Sequence, residues 1–180
     1  VLNTAIKNYT AREIPIDYED LHKFLNHGER ILIDDGRMEL IIDKIEDTRL
    51  FCKVIEGGIL NSHKGLNLPD TKLVINPLSK KDREDVEFGV SENVDIIAMS
   101  FVTCAKDILD LRFLIKEREK KTKKENIQPI QIFAKIEKHE AVDNIKEILE
   151  VVDGIIVARG DLGLEMPAAE VPLAQKRIID

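Results

Sequence analysis

Residues 130–136 read IQIFAKI, a short apolar run that carries a lysine near its end, and this run decides the fold prediction. Comparable apolar runs occupy residues 94–102 (VDIIAMSFV) and 154–158 (GIIVA). Between the first two of these runs, apolar residues recur at helical spacing over residues 106–120. Strands that alternate with helices predict an α/β fold with a parallel sheet, and near-continuous apolar runs predict strands buried on both faces.

The neighbouring segments extend this pattern in both directions. Ser79 and Asp82 have the spacing of a capping box, which predicts a helix that continues to about Val90. Apolar residues between Val142 and Val152 predict the next helix, and residues 172–179 predict a last one. Helices of this length suit either a doubly wound sheet or a (β/α)₈ barrel. No Gly-x-Gly-x-x-Gly follows a strand, which disfavours a dinucleotide-binding fold.

The first part of the chain, before Leu73, has a different pattern of short apolar runs broken by Gly, Asp and Asn. Three runs have strand character, residues 30–34 (RILID), 38–43 (MELIID) and 50–55 (LFCKVI). Asp35-Gly36 and Gly57-Gly58 predict tight turns between strands. We therefore expect a small antiparallel β domain over residues 1–73 and an α/β region over residues 74–180.

Composition and charge restrict the class of protein. The 180 residues carry a net charge of −7, which disfavours nucleic acid as a partner because such a partner needs a basic face. No apolar run reaches the roughly 18 residues of a membrane span. Cys52 and Cys104 are isolated thiols in apolar stretches, which favours reduced core cysteines over a disulfide or a metal site. These features predict a cytoplasmic globular protein.

The active sites of parallel α/β folds lie at the carboxyl ends of the strands. The segments at the ends of the three predicted strands, each with at least one polar residue, are Ser100-Phe101, Lys135-Ile136-Glu137 and Arg159-Gly160-Asp161. A lysine inside an apolar strand is costly unless it is paired, although a lysine at a strand end can also extend to water. In an extended chain Lys135 and Glu137 point to the same face. Glu137 alone could be an ordinary acid at a strand end, and Asp161 alone could cap the following turn.

Taken together, these residues predict a phosphoryl-transfer site. Mg²⁺ prefers one or two carboxylates plus water and substrate oxygens, and Glu137 and Asp161 supply two carboxylates. Lys135 beside them would neutralise a transferring phosphoryl group. Gly160 would let the backbone approach a bound anion closely. Arg159-Gly160-Asp161 is also an adhesive tripeptide of some extracellular proteins, but three residues are a weak match.

Several segments, in the same order along the chain, resemble the pyruvate kinases. The two longest are residues 132–140 (IFAKIEKHE), similar to the catalytic strand of that family, and 152–167 (VDGIIVARGDLGLEMP), similar to its metal-binding segment. The others are residues 33–36 (IDDG), 64–69 (KGLNLP), 78–85 (LSKKDRED) and 170–179 (EVPLAQKRII). The resemblance covers nearly the whole chain. Because the chain starts with Val1 and not Met, we interpret it as an internal part of such an enzyme.

The resemblance implies a partial (β/α)₈ TIM barrel, incomplete within residues 74–180, with an inserted small antiparallel β-barrel lid domain, incomplete at its start, over residues 1–73. It implies the glycolytic transfer of a phosphoryl group from phosphoenolpyruvate to ADP, giving pyruvate and ATP. Lys135 would stabilise the transition state, Glu137 and Asp161 would bind Mg²⁺ or Mn²⁺, and Gly160 and Asp161 would contact the substrate. Lys64 would contact the nucleotide.

Departures from the family pattern limit what this chain is expected to do alone. The Arg-x-Asn-x-Ser segment, which binds phosphate, nucleotide and K⁺ in the family, has no counterpart here, so K⁺ would be bound outside this chain. The family's substrate-binding threonine and its C-terminal domain, which builds a homotetramer, also have none. We therefore expect the isolated chain to be inactive. The alternatives are a metal-dependent aldolase or lyase on a similar barrel, and a structural or nucleotide-binding fragment.

Overall fold

The chain folds into two compact units in the computed structural model, which describes residues 1–71, 78–122 and 128–180. The first unit is Val1–Val74 and the second is Ile75–Asp180. The predicted boundary at Leu73 lies outside the described residues. The lid identity of the first unit remains a prediction.

The first unit contains one six-stranded mixed sheet with the order β2-β1-β5-β4-β3-β6. The strands are β1 (Leu2–Asn3), β2 (Ile14–Pro15), β3 (Arg30–Ile33), β4 (Met38–Glu46), β5 (Arg49–Glu56) and β6 (Leu66–Asn67), with a short 3₁₀ helix at Leu21–Lys23. All neighbouring pairs are antiparallel except β1 and β2, which are parallel. The prediction of a purely antiparallel domain is therefore wrong at this edge. Within the described residues no pairing of β2 with β6 closes the sheet, so a barrel form remains a prediction.

The hairpin turns of this sheet were only partly predicted. Asp35 and Gly36 lie in the turn between β3 and β4 with left-handed backbone φ angles of 54° and 76°, as predicted. The turn between β4 and β5 lies at Asp47, with φ of 51°, and not at Gly57-Gly58. Gly57-Gly58 instead follows the end of β5, in a segment without regular secondary structure. Aspartate tolerates the left-handed conformation, so this hairpin forms without glycine.

A β-bulge in β4 explains the spacing of its inward-facing residues. The ladder pairs Ile42 with Cys52 and then Lys44 with Phe51, so Asp43 is an extra residue on its strand. The extra residue changes the phase of the alternation, which lets both Ile42 and Ile45 pack in the core although they are three positions apart.

The second unit contains a three-stranded parallel sheet with the order β7-β8-β9, as the sequence predicted. Its elements are α1 (Lys80–Glu92), β7 (Ile96–Met99), α2 (Ala105–Thr122), β8 (Gln131–Ile136), α3 (His139–Asp143), α4 (Ile145–Leu149), β9 (Gly154–Val157), α5 (Arg159–Glu165) and α6 (Val171–Ile179). Ser79 and Asp82 form the predicted capping box at the start of α1. The predicted single helix from Val142 to Val152 is instead divided at Asn144, whose side-chain amide donates to the Thr103 carbonyl.

One face of the parallel sheet forms the core of the second unit. Ile132, Ala134 and Ile136 of β8 are fully buried there. On the other face, Ile96 of β7 is 45% exposed and Ile156 of β9 is 40% exposed. In the part of the chain that the structure describes, helices pack against one face of the sheet only, so burial of residues 94–102 on both faces remains a prediction.

Two contacts hold β8 and β9 at fixed separation. The Asp153 carboxylate, just before β9, accepts hydrogen bonds from the Ile132 amide at 2.8 Å and from the Arg112 guanidinium at 2.9 Å. Gly154 pairs with Phe133, and a Cβ atom at Gly154 would lie 2.7 Å from the Phe133 ring. A side chain at position 154 would therefore force the Phe133 ring or the strand to move.

Candidate active site

Lys135 lies near the carboxyl end of β8, and its ammonium group is held by two partners. Its Nζ is 2.5 Å from Glu137 Oε1 and donates a hydrogen bond to Ser100 Oγ at 3.0 Å. The ion pair confirms that Lys135 and Glu137 share a face. The side chain is 32% exposed. Lys135 therefore does not simply extend to water, which was the alternative interpretation of a lysine at a strand end.

Glu137 is a buried carboxylate with both oxygens engaged. Its side chain is only 4% exposed, and Oε2 accepts a hydrogen bond from the Phe101 amide at 3.0 Å. An ionised carboxylate at this burial is tolerated only because a cation and an N–H group compensate it. Ser100 and Phe101 directly follow β7. The end of β7 therefore supplies one hydrogen-bond partner to each of the two charged residues at the end of β8.

Phe101 adopts a strained backbone conformation at this position. Its φ is 56°, a left-handed value that is unfavourable for a bulky residue, and its side chain is 61% exposed. The conformation directs the amide at Glu137. Such strain is concentrated at functional sites in proteins, where the surrounding structure holds it in place.

Asp161 and Gly160 lie just beyond β9, in the first turn of α5. The N-cap of α5 is Ala158, so the alternative in which Asp161 caps the helix is wrong. Ile136 and Val157 are partners in the β8–β9 ladder, which puts the two strand ends side by side. Among the described contacts, no hydrogen bond or ion pair joins Asp161 to Glu137 or Lys135. A metal ion shared by Glu137 and Asp161 therefore remains a prediction.

Gly160 lies in open space in the first turn of α5. Its φ is not in the left-handed range, and an added Cβ would meet no atom within 4 Å. Gly163 in the same helix has equally open surroundings, so open space alone does not distinguish Gly160. Close approach of a ligand at Gly160 therefore remains a prediction.

Lys64 lies in the first unit and is paired there. Its Nζ is 2.7 Å from Asp34 Oδ1, and this hydrogen bond from Lys64 is the main cause that lowers the pKa of Asp34. Lys64 is about one-third exposed. Its nucleotide contact remains a prediction.

Sequence reasoning missed a second polar cluster near the same strand end. Lys138 Nζ is 3.0 Å from Glu165 Oε1, and His139 and Glu140 lie beside them. The only sequence signal was the polar run that follows Glu137. Nothing local connects that run to Glu165, which α5 carries to it.

The chain also matches a known protein family. The family model described as pyruvate kinase, barrel domain, matches residues 1–180. The chain belongs to the pyruvate kinase family.

Three similar relatives illustrate the match to pyruvate kinases. The chain is 43% identical to pyruvate kinase of Clostridium acetobutylicum, with 94% of this chain and 34% of the relative covered. It is 41% identical to that of Clostridium perfringens, with 91% and 33% covered. It is 42% identical to that of Staphylococcus saprophyticus, with 94% and 28% covered. The chain thus spans about a third of the length of these pyruvate kinases.

Two further findings concern the helices and the cysteines of this pyruvate kinase chain. Across residues 1–71, 78–122 and 128–180, no helix is both long and apolar enough to cross a membrane. Cys52 and Cys104 are both half-buried free thiols. Burial raises the pKa of the Cys52 thiol, so that thiol is a poor nucleophile.

Proposed function

We propose that the polypeptide that contains this chain transfers the phosphoryl group of phosphoenolpyruvate to ADP, giving pyruvate and ATP, as in glycolysis. The observation that carries the proposal is the ordered ammonium group of Lys135, held between Ser100 and Glu137 at the carboxyl end of a parallel sheet. Family membership supplies the reaction class. The same membership supports a (β/α)₈ barrel with an inserted β lid as the complete fold.

Lys135 would stabilise the phosphoryl group while it is in transit. The bond from phosphorus to the enol oxygen breaks, a bond from phosphorus to a terminal oxygen of ADP forms, and the enolate then takes up a proton to become pyruvate. Charge on the transferring group spreads over its outer oxygens, so catalysis depends mostly on positioned cations. An ammonium group that Ser100 and Glu137 already hold in place loses little entropy when it acts.

The donor set fits a magnesium ion. Glu137 and Asp161 would be its protein ligands, with Mn²⁺ as an alternative ion. Each oxygen of Glu137 accepts one described contact, and a carboxylate has about four acceptor sites in all, so capacity for a metal remains. A bound Mg²⁺ would neutralise negative charge on the substrate. In its absence, Lys135 provides the compensating charge for Glu137.

The remaining roles concern binding. Gly160 and Asp161 would contact the substrate, since the space around Gly160 is open. Lys64 would contact a phosphate of the nucleotide, and it would have to share or leave Asp34 to do so. K⁺ would be bound by residues outside this chain. A cytoplasmic homotetramer is the assembly that we propose for the complete enzyme.

The direct test is the activity of variants of the complete polypeptide. Lys135→Met should lower kcat by roughly 10²–10³, because a contact made mainly in the transition state is lost. The matched control is Lys146→Met, which replaces an exposed lysine on α4 and should leave kcat unchanged. Pyruvate formation from phosphoenolpyruvate and ADP would be followed in a coupled assay, with kcat and KM determined separately.

Two outcomes would contradict the proposal. A large rise in KM with unchanged kcat would make Lys135 a residue for uniform substrate binding. No pyruvate formation by the unmodified complete polypeptide would reject the kinase and leave a lyase or a binding protein. Glu137→Gln tests the metal separately: it should abolish activity that depends on Mg²⁺ while Glu150→Gln, at an exposed position on the same unit, should not.

A further inference from the structure

Three potential metal ligands converge at a place that the proposed reaction does not use. His139 and Glu140 form the first turn of α3, and Glu165 is the last residue of α5. One donor atom of each lies within 4.8 Å of the donor atoms of the other two. The cluster therefore joins two helices that follow neighbouring strands.

The donor atoms of this cluster are buried and lack hydrogen-bond partners. His139 Nδ1, Glu140 Oε2 and Glu165 Oε2 are each shielded from solvent without a partner. The Glu165 side chain is only 3% exposed. A buried carboxylate oxygen without a partner is costly, so three such atoms directed at one another indicate a missing positive charge.

Lys138 supplies only part of that charge. Its ammonium group is 3.0 Å from Glu165 Oε1, which leaves Oε2 of the same carboxylate facing His139. The separations between His139 Nδ1 and the two carboxylates are also long for hydrogen bonds. Nδ1 is 3.3 Å from Glu140 Oε2 and 3.6 Å from Glu165 Oε2, both beyond the usual range of an N–H···O hydrogen bond. One N–H group would also point at only one of the two oxygens.

The separations suit a metal ion placed between the three atoms. With metal–ligand distances of about 2.1 Å, tetrahedral ligands lie about 3.4 Å apart. The two measured separations, 3.3 Å and 3.6 Å, are close to this value. One imidazole nitrogen and two carboxylate oxygens favour a divalent transition metal over Mg²⁺, which prefers oxygen ligands throughout.

We infer that His139, Glu140 and Glu165 form a binding site for a divalent transition-metal ion such as Zn²⁺, separate from the proposed Mg²⁺ site. The ion would connect the start of α3 to the end of α5. Since α5 also carries Asp161, the site would fix the helix on which a proposed substrate contact lies. The inference depends on the cluster alone and does not require the proposed reaction.

The test measures zinc content of the complete polypeptide and not its activity. The protein is stripped with a chelator and dialysed against Zn²⁺ in saturating Mg²⁺, which occupies the site proposed for Glu137 and Asp161. His139→Gln and Glu165→Gln each remove one ligand and should weaken binding of one zinc equivalent by at least about tenfold. The matched controls His63→Gln and Glu170→Gln, both at exposed positions, should retain that equivalent.

Each result decides the inference. Loss of one equivalent in His139→Gln, with retention in Glu137→Gln, supports the site. The inference is overturned if the unmodified protein binds no zinc, or if His139→Gln binds as much zinc as the unmodified protein. It is also overturned if Glu137→Gln loses the zinc equivalent, because zinc would then occupy the proposed Mg²⁺ site. His139 is 35% exposed, so its variant can decide the question if Glu165→Gln does not fold.

Discussion

Gly154→Ala tests how tightly β8 and β9 pack. A Cβ atom at Gly154 would lie 2.7, 2.8 and 2.9 Å from Cζ, Cε1 and Cε2 of the Phe133 ring. Carbon atoms normally approach no closer than about 3.5 Å, so the ring or the strand must move by roughly 1 Å. Overpacking of this kind costs about 1–3 kcal/mol, and the partly exposed ring puts the value in the lower half of that range.

The free energy of unfolding in urea, followed by circular dichroism, measures this cost. Gly154→Ala should destabilise the protein by about 1–2 kcal/mol. In a Phe133→Leu background the same change should be nearly neutral, because the three ring atoms are gone. Gly163→Ala is the matched control: its Cβ meets no atom within 4 Å, so it should be neutral or stabilising.

The double-mutant comparison decides whether the ring is responsible. A coupling of about 1 kcal/mol or more between positions 133 and 154 supports the packing argument. Effects that add to within about 0.5 kcal/mol would refute it, since the cost of Gly154→Ala would then arise elsewhere. A stabilising effect of Gly154→Ala in the unmodified background would refute it as well.

Three further predictions concern other parts of the second unit. The hydrogen bond from the backbone amide of Ile132, and then the Arg112 guanidinium, lower the pKa of Asp153. Ionised Asp153 therefore stabilises the folded protein above its unfolded pKa of about 4, and this contribution is lost as the pH falls through the lowered pKa. Asp153→Asn should therefore cost about 1 kcal/mol in urea unfolding at pH 7, a value that solvent screening reduces because the side chain is 35% exposed. The cost should become progressively smaller below about pH 4, and an equal cost at every pH would contradict this. Gly160→Ala should raise the KM for phosphoenolpyruvate whereas Gly163→Ala should not, and equal KM values would remove the argument for ligand approach at Gly160. Ser79→Ala should destabilise the start of α1 by about 1 kcal/mol, measured as faster amide hydrogen exchange there. Unchanged exchange at these amides would contradict a stabilising role of the capping box.

The order of strands and helices in the second unit was predictable because its signal is local. Alternation along β8 buries Ile132, Ala134 and Ile136, and the same alternation brings Lys135 and Glu137 to one face. The capping box at Ser79 was predictable because both of its residues lie within one turn. Features that depend only on residues two or three positions apart can thus be predicted from short segments of sequence.

Features that depend on distant parts of the chain were not predictable. Which face of the parallel sheet the described helices cover depends on how they connect the strands, and a run of apolar residues does not contain that information. Asn144 separates α3 from α4, and its side chain bonds to Thr103, far away in sequence. The cluster around His139 exists only because α5 carries Glu165 to it.

The bulge at Asp43 has a consequence for changes in chain length. Asp43 is exposed and is the residue that the β4 ladder leaves over, whereas Ile42 and Ile45 on either side both face the core. Deleting Asp43 would put only Lys44 between these isoleucines and restore a regular two-residue alternation. Deleting a residue elsewhere in Met38–Glu46 would instead turn inward side chains toward water. Related chains could therefore lack the residue at position 43 and still keep the same side chains of this hairpin facing the core.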